Sequence, residues 1–296
     1  MLKLNIDPQP RIHHLDVMTH KLVASRFMGD YPSLFKGRGV IFESFREYSP
    51  SDDASLIDWK ASSRAGKALV REFVDERNLD VFFLMDASHT MVFGSHDKLK
   101  HEYAAEMVAS MALAVIEQGD SAGVGLFSDS IRGFLTPDRG IAQYRRILRE
   151  LTNPAHYDGP CNFEEAMRAC VLRLRPQTIL VIITDGVRLS GDWAGLLRVA
   201  GKKFDVITML VRDPRDDELP EGSGHVAVED PYTGDQILVD TDAIRDDYAK
   251  ASKELLEGNL AIMRTGRVVD VPIIRTDGDF AKHIISYFER RKLKMR

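Results

Sequence analysis

The sequence is poor in several things that would have settled its class at once. It has two cysteines, Cys161 and Cys170, in 296 residues. That is too few for a disulfide framework or a four-cysteine zinc site, and it points to a reducing, cytoplasmic compartment. No stretch reaches the roughly 18 consecutive apolar residues of a membrane helix, so no membrane insertion is expected. Residues 1–7, M-L-K-L-N-I-D, lack the apolar centre of a secretion signal. Neither sign of charge dominates: 40 Lys and Arg face 45 Asp and Glu, a net charge of −5. A mildly acidic chain lacks the basic footprint of a duplex binder, and no nucleic-acid partner is expected. Internal repeats and biased linkers are also missing, and 44% apolar residues exclude a disordered chain.

What is present is an alternation of apolar runs and amphipathic stretches. Residues 1–78 carry a short helical pattern near 14–28 (Leu15, Met18, Leu22, Val23), then two β-rich stretches, 37–48 and 67–74, around an S-P-S-D-D turn at 49–53. This reads as an N-terminal helix with a small β extension. From Leu79 onward the pattern changes. L-D-V-F-F-L-M-D (79–86), A-G-V-G-L-F-S (122–128), T-I-L-V-I-I-T-D (178–185) and F-D-V-I-T-M-L-V (204–211) are nearly continuous apolar runs, as strands buried on both faces require. An edge strand is expected at 131–135 and a last one at 268–274. Helices are predicted over 96–118, around Ile141 to Leu151, from Asn162 to about Arg173, and over 192–201, 241–260 and 279–292. Alternating strands and helices make residues 79–296 an α/β domain with a mostly parallel sheet flanked by helices.

Ligand sites in such sheets lie beyond the carboxyl ends of the strands. Two apolar strands end in carboxylates there, Asp86 and Asp185. After Asp86 the chain runs Ala87-Ser88-His89-Thr90, which places oxygens at i, i+2 and i+4 in one turn. Asp86, Ser88, Thr90 and Asp185 form an oxygen set suited to a hard divalent cation such as Mg²⁺. The plainer reading is that the hydroxyls only satisfy a strand-to-helix turn. Other motifs carry less. G-D-S-A-G at 119–123 matches a nucleophile elbow in letters, but it follows a helix and precedes a strand, the reverse of a hydrolase elbow. His13, His14 and His20 lack a second ligand group. Arg46, Glu47, Asp52, Asp53, Asp58, Trp59 and Lys60 crowd charge around an aromatic, either as a docking surface or as internal ion pairs.

D-A-S-H-T at 86–90 resembles the D-x-S-x-S/T opening of a von Willebrand factor A domain, and T-D-G at 184–186 is similar to that fold's third metal loop. The upstream segment 37–67, G-R-G-V-I-F-E-S-F-R-E-Y-S-P-S-D-D-A-S-L-I-D-W-K-A-S-S-R-A-G-K, resembles the signature of one bacterial branch, called domain of unknown function fifty-eight, as does D-P-Y-T-G-D-Q-I-L-V-D at 230–240. The resemblance runs from about Leu22 to the C-terminus. It implies a Rossmann-like, von Willebrand factor A-like fold with a metal-ion-dependent adhesion site. It also implies a chaperone-like, non-enzymatic protein-interaction role beside a MoxR-type AAA+ ATPase, in the assembly or maturation of other proteins. One position departs from the pattern. Cys161, in G-P-C-N-F (159–163), falls where the second metal loop usually offers a threonine, and a thiol is a soft, poor ligand for Mg²⁺. The neighbouring Asn162 could substitute through its amide oxygen, and Asp129 ends an adjacent strand. The competing reading is a Mg²⁺-dependent phosphohydrolase of the haloacid-dehalogenase kind with Asp86 as nucleophile. Its acid/base aspartate is expected two residues later, where Ser88 stands.

Overall fold

The computed structural model describes residues 41–49, 57–74, 79–189, 191–230, 233–266, 268 and 270–294. The expected helix at 14–28, the three N-terminal histidines, residues 37–40 of the first β stretch, most of the 49–53 turn, and Asp52 and Asp53 lie outside the described residues.

The core is a six-stranded sheet. Its strands are β3 (Asp80–Asp86), β4 (Ser121–Phe127), β5 (Ile131–Asp138), β6 (Ile179–Thr184), β7 (Asp205–Arg212) and β10 (Ile273–Arg275). Their order across the sheet is β10-β7-β6-β3-β4-β5. All neighbours are parallel except β4 and β5, which are antiparallel. The apolar runs fold this way because both faces of the central strands are covered. In β3, Val81, Phe83 and Met85 join one core cluster while Phe82 and Leu84 join the other, all fully buried. Each such side chain contributes roughly 1.5–3 kcal/mol by leaving water.

The first face is covered by α2 (Lys100–Glu117), α3 (Gly140–Leu151) and α8 (Phe280–Lys294). Helix α2 is buried almost all round, and Ala104, Ala105, Ala109 and Ala112 let it lie close to the sheet. The second face is covered by α4 (Phe163–Arg173), α5 (Trp193–Lys203) and the end of α7 (Thr241–Thr265), where Met263 enters the core. Helix α4 starts where the sequence places it: the Asn162 side chain accepts from the Glu165 N–H at 3.2 Å.

The expected strand at 268–274 shortens to three residues. Pro272 has no N–H to give to a ladder, and its carbonyl instead accepts from Leu210 at 3.0 Å before pairing begins. Apart from the main sheet stands a hairpin of β1 (Ile41–Glu47) and β2 (Leu69–Val74), with the short helix α1 (Trp59–Ala65) between them. The sequence reading assigned no helix there. It is held by two caps: Asp58 accepts from the N–H groups of Lys60 and Ala61, and Gly66 closes the end at φ 68°. The charges of this segment are therefore partly structural, with Glu47 paired to Lys67, while Trp59 stays exposed. Two further elements were not anticipated, the turn α6 (Pro214–Asp217) and a second hairpin, β8 (His225–Glu229) with β9 (Gln236–Asp240). Among the described residues no helix is long and apolar enough to cross a membrane.

Candidate functional site

Chain direction across the sheet reverses at β3. The connection through α2 carries the chain to β4 on one side, while β6, β7 and β10 extend on the other. Helices leaving opposite ways open a crevice at the carboxyl ends of β3 and β6, where α/β sheets place ligands. Asp86 is the last residue of β3, and Asp185 directly follows β6. The two carboxylates thus converge at one end of the sheet, and both are fully buried.

The turn after β3 is built around Asp86. Its Oδ1 accepts from the Ser88 N–H at 2.9 Å, and its Oδ2 accepts from the Thr184 hydroxyl at 2.7 Å. Ser88 Oγ lies 3.2 Å from Thr90 Oγ1, so the two hydroxyls expected from the sequence stand side by side. The His89 N–H donates to the Gly159 carbonyl at 3.0 Å, and the Gly159 N–H donates to His89 Nε2 at 3.2 Å. These bonds tie the first loop to the loop carrying Cys161. The Cys161 thiol faces the same carboxylate, donating to Asp86 Oδ2 at 3.7 Å. Beyond β6, Gly186 takes φ 74°, a left-handed turn that suits glycine, and its N–H donates to Thr184 Oγ1 at 3.2 Å.

Burial pushes Asp86 up to about 6, and the nearby Asp185 charge adds to it; the bonds from Ser88 and Thr184 only partly oppose this. Burial, together with the two carboxylates, also raises the Cys161 thiol well above the ordinary cysteine range. Residue 161 is thus a neutral thiol, which is no ligand for a hard cation.

The residue that sequence reasoning missed is Lys100. It opens α2, is 1% exposed, and its ammonium bridges Asp185 Oδ2 at 2.8 Å and Asp216 Oδ1 at 2.9 Å. Burial works against its charge, but Asp185 and Asp216 overcome that and hold Lys100 above the usual lysine range. Asp185 also accepts from the Val187 N–H at 2.8 Å through Oδ1. Both of its oxygens are therefore engaged by the protein. Arg212, equally buried, donates to the Asp185 carbonyl at 3.4 Å and pairs with Asp217 at 2.9 Å. No spacing signal marks Lys100: it stands 85 residues from Asp185, and only the packing of α2 brings it in.

The remaining expected groups are placed otherwise. The Asn162 amide oxygen caps α4, and its Nδ2 donates to the Asp129 carbonyl at 3.1 Å, so the amide oxygen is not the substitute ligand the sequence offered. The Asp129 carboxylate is exposed and pairs with Arg132 at 2.8 Å. Cys170 is core. Asp86, Ser88 and Thr90 fit a hard cation by donor chemistry, Asp185 stands near them with both oxygens engaged by Lys100 and the Val187 N–H, and Cys161 presents the thiol that the sequence marked as a departure.

The profile of the DUF58 family, described as "Protein of unknown function DUF58", matches residues 44–257, and the chain belongs to that family. The uncharacterized protein Rv1480 of Mycobacterium tuberculosis is 28% identical over 273 residues, 89% of this chain and 83% of that one. Among solved structures, the conserved hypothetical protein BatB from Bacteroides thetaiotaomicron matches at TM-score 0.50 and 17% identity, over 73% of this chain and 99% of its own. The SpRpn10 VWA domain matches at TM-score 0.41 and 11% identity, over 69% of this chain and 92% of its own. With this strand order, the single antiparallel edge and the D-x-S-x-T turn, the fold is von Willebrand factor A-like.

Proposed function

We propose that this DUF58 member is a non-enzymatic protein-interaction module that grips its partner at the switch-point crevice, with a remodelled metal-ion-dependent adhesion site as the anchor. The observation that carries the reading is the turn itself: one buried carboxylate, Asp86, with the Ser88 and Thr90 hydroxyls beside it at the carboxyl end of β3. Asp86, Ser88 and Thr90 would hold Mg²⁺, and Asp185 stands behind them, its charge met by Lys100. When bound, the cation supplies a Lewis-acidic position that a carboxylate of the partner can fill. The protein's own groups do the rest. Thr184 and the Ser88 N–H fix the orientation of Asp86, and the His89–Gly159 bonds fix the loop that frames the opening.

The partner we assign is a MoxR-type AAA+ ATPase, which the family resemblance implies, with a chaperone-like role in the cytoplasm. The test is capture of such an ATPase by the purified chain with Mg²⁺ and with EDTA, alongside Asp86→Ala. Capture that needs both Mg²⁺ and Asp86 supports the reading; capture indifferent to both refutes the cation-bridged contact. Hydrolysis of an aryl phosphate that is lost in Asp86→Asn would instead establish the phosphohydrolase reading.

A further inference from the structure

The β8–β9 hairpin has a face that the described residues leave only partly covered. Its register sets Val226 opposite Val239 and Val228 opposite Ile237. Side chains alternate along each strand, so these four share one face. The other face carries His225, Ala227, Glu229, Gln236, Leu238 and Asp240. The hairpin stands out from the domain: Val228 is 43% exposed and Ile237 62%, and neither joins a core cluster. A small ribbon that keeps Val226, Val228 and Ile237 of an apolar face exposed has no folding reason to do so, because exposed apolar strands invite association.

Two observations say what covers it. The first is charge. Residues 213–257, which contain the hairpin and the first two thirds of the helix that follows it, hold fourteen Asp and Glu against four Lys and Arg, in a chain whose whole net charge is −5. Glu229, Asp230, Asp235, Asp240 and Asp242 flank the four apolar side chains in sequence. The field around the face is therefore negative and steers cationic segments toward it. The second is continuity with the crevice. Asp230, at the hairpin turn, pairs at 3.0 Å with Arg188 of the loop that follows Asp185, and Arg188 holds a left-handed φ of 53° there. A partner seated at the crevice has the hairpin within its reach.

We infer that the β8–β9 hairpin is a docking site for a basic amphipathic helix of the partner, whose apolar stripe covers Val226, Val228, Ile237 and Val239 while its Lys and Arg meet the surrounding carboxylates. A helix lays its apolar stripe on a sheet face for the same reason it does in a protein core. The inference rests on the reading of the chain as an interaction module, but it needs no cation.

The test uses the full chain and a fluorescein-labelled helical peptide of leucine and lysine, with a leucine/glutamate and a serine/lysine counterpart, read by anisotropy. The leucine/lysine peptide should bind about tenfold or more tightly than either counterpart. Val228→Thr with Ile237→Thr, which keeps β-branched side chains, should weaken it about tenfold; Asp86→Ala should leave it unchanged. Equal binding of the leucine/glutamate peptide removes the charge argument, and equal binding of the serine/lysine peptide removes the apolar face. Unchanged binding in the double variant overturns the site, and so does concentration-dependent dimerisation that the double variant abolishes, because the occupant is then a second copy. Failure here with Asp86-dependent capture of the ATPase intact would sink the hairpin and leave the cation-bridged contact standing; binding here with no such capture would keep the hairpin and sink that contact.

Discussion

Asp86→Asn isolates the cost of keeping a charge in the crevice. In the cation-free protein Asp86 titrates at about 6, against an ordinary 3.8. Between those values the native state holds a proton that the unfolded state has released, so stability rises as pH falls through that window. Above it, the ionised, buried Asp86 costs about 3 kcal/mol relative to an unperturbed carboxylate. Asparagine removes the charge and keeps an oxygen for the Ser88 N–H. It gives up the second acceptor, which takes the Thr184 hydroxyl at 2.7 Å, a loss of about 1 kcal/mol. In EDTA the variant should therefore be more stable than the parent by about 2 kcal/mol near pH 7.5, with the gain vanishing between about pH 5 and 4. Urea unfolding at both ends of that range measures it. Saturating Mg²⁺ should then stabilise the parent alone, by about 2.7 kcal/mol at a hundred times its dissociation constant. A variant less stable than the parent by the same amount at both pH values would refute the argument, for Asp86 would then be valued for its hydrogen bonds and not penalised for its charge.

Lys100→Met strips the buried ammonium from Asp185 and Asp216 and should cost about 3–5 kcal/mol, as breaking a buried pair does; adding Asp185→Asn and Asp216→Asn should recover most of it, and thermal melts that show no recovery would argue against the charge account. Cys161→Thr puts a hard oxygen where the thiol now donates to Asp86; it should tighten Mg²⁺ by about 1–2 kcal/mol, and equal calorimetric affinities would mean that residue 161 plays no part. Asp213 is held below the usual carboxylate range: burial opposes its charge, but Ser95, Arg215 and Thr276 donate to it and prevail. Asp213→Asn should cost about 1–3 kcal/mol at neutral pH. Because the native pKa is depressed, that deficit should shrink as pH falls below about 4, and a gap independent of pH would contradict the assignment. A Cβ on Gly123 would sit 2.5 Å from the Leu135 carbonyl oxygen and 2.7 Å from the Pro137 nitrogen, both backbone atoms. Gly123→Ala should then cost about 1–3 kcal/mol, against which an unchanged urea midpoint would count.

The parts of the molecule that composition governs could be read from the chain alone. Runs such as 79–86 and 178–185 suit strands covered on both sides, which the sheet makes them, and a carboxylate stands at the end of each. Tertiary packing governs the parts that could not. Lys100 reads as an ordinary first-turn lysine until α2 is laid on the sheet, when its ammonium drops between Asp185 and Asp216. The shortening of β10 was written in Pro272 and outweighed by the β-branched residues around it. The second hairpin was also legible: H-V-A-V-E and Q-I-L-V-D flank a turn with Gly234 at φ 75°. Its apolar residues simply face no core, so a search for buried strands passes over them.

Charge balance in the crevice explains why the site is built unevenly. Two fully buried carboxylates, Asp86 and Asp185, and the partly buried Asp216 lie together, and one lysine meets two of the three. Among the described residues no ion pair reaches Asp86. On the proposed reading, Lys100 beside Asp185 supplies positive charge at the third loop, and the neutral Cys161 offers no ligand at the second. Asp86 alone keeps its need for external positive charge, and Ser88 and Thr90 stand where they can share in meeting it. The same surplus of carboxylates runs outward through residues 213–257 to the hairpin. On the two proposals the crevice and the hairpin take the same sign of charge, one as a small cation and the other as the basic flank of a helix, and Arg188 is the protein's own cation between them.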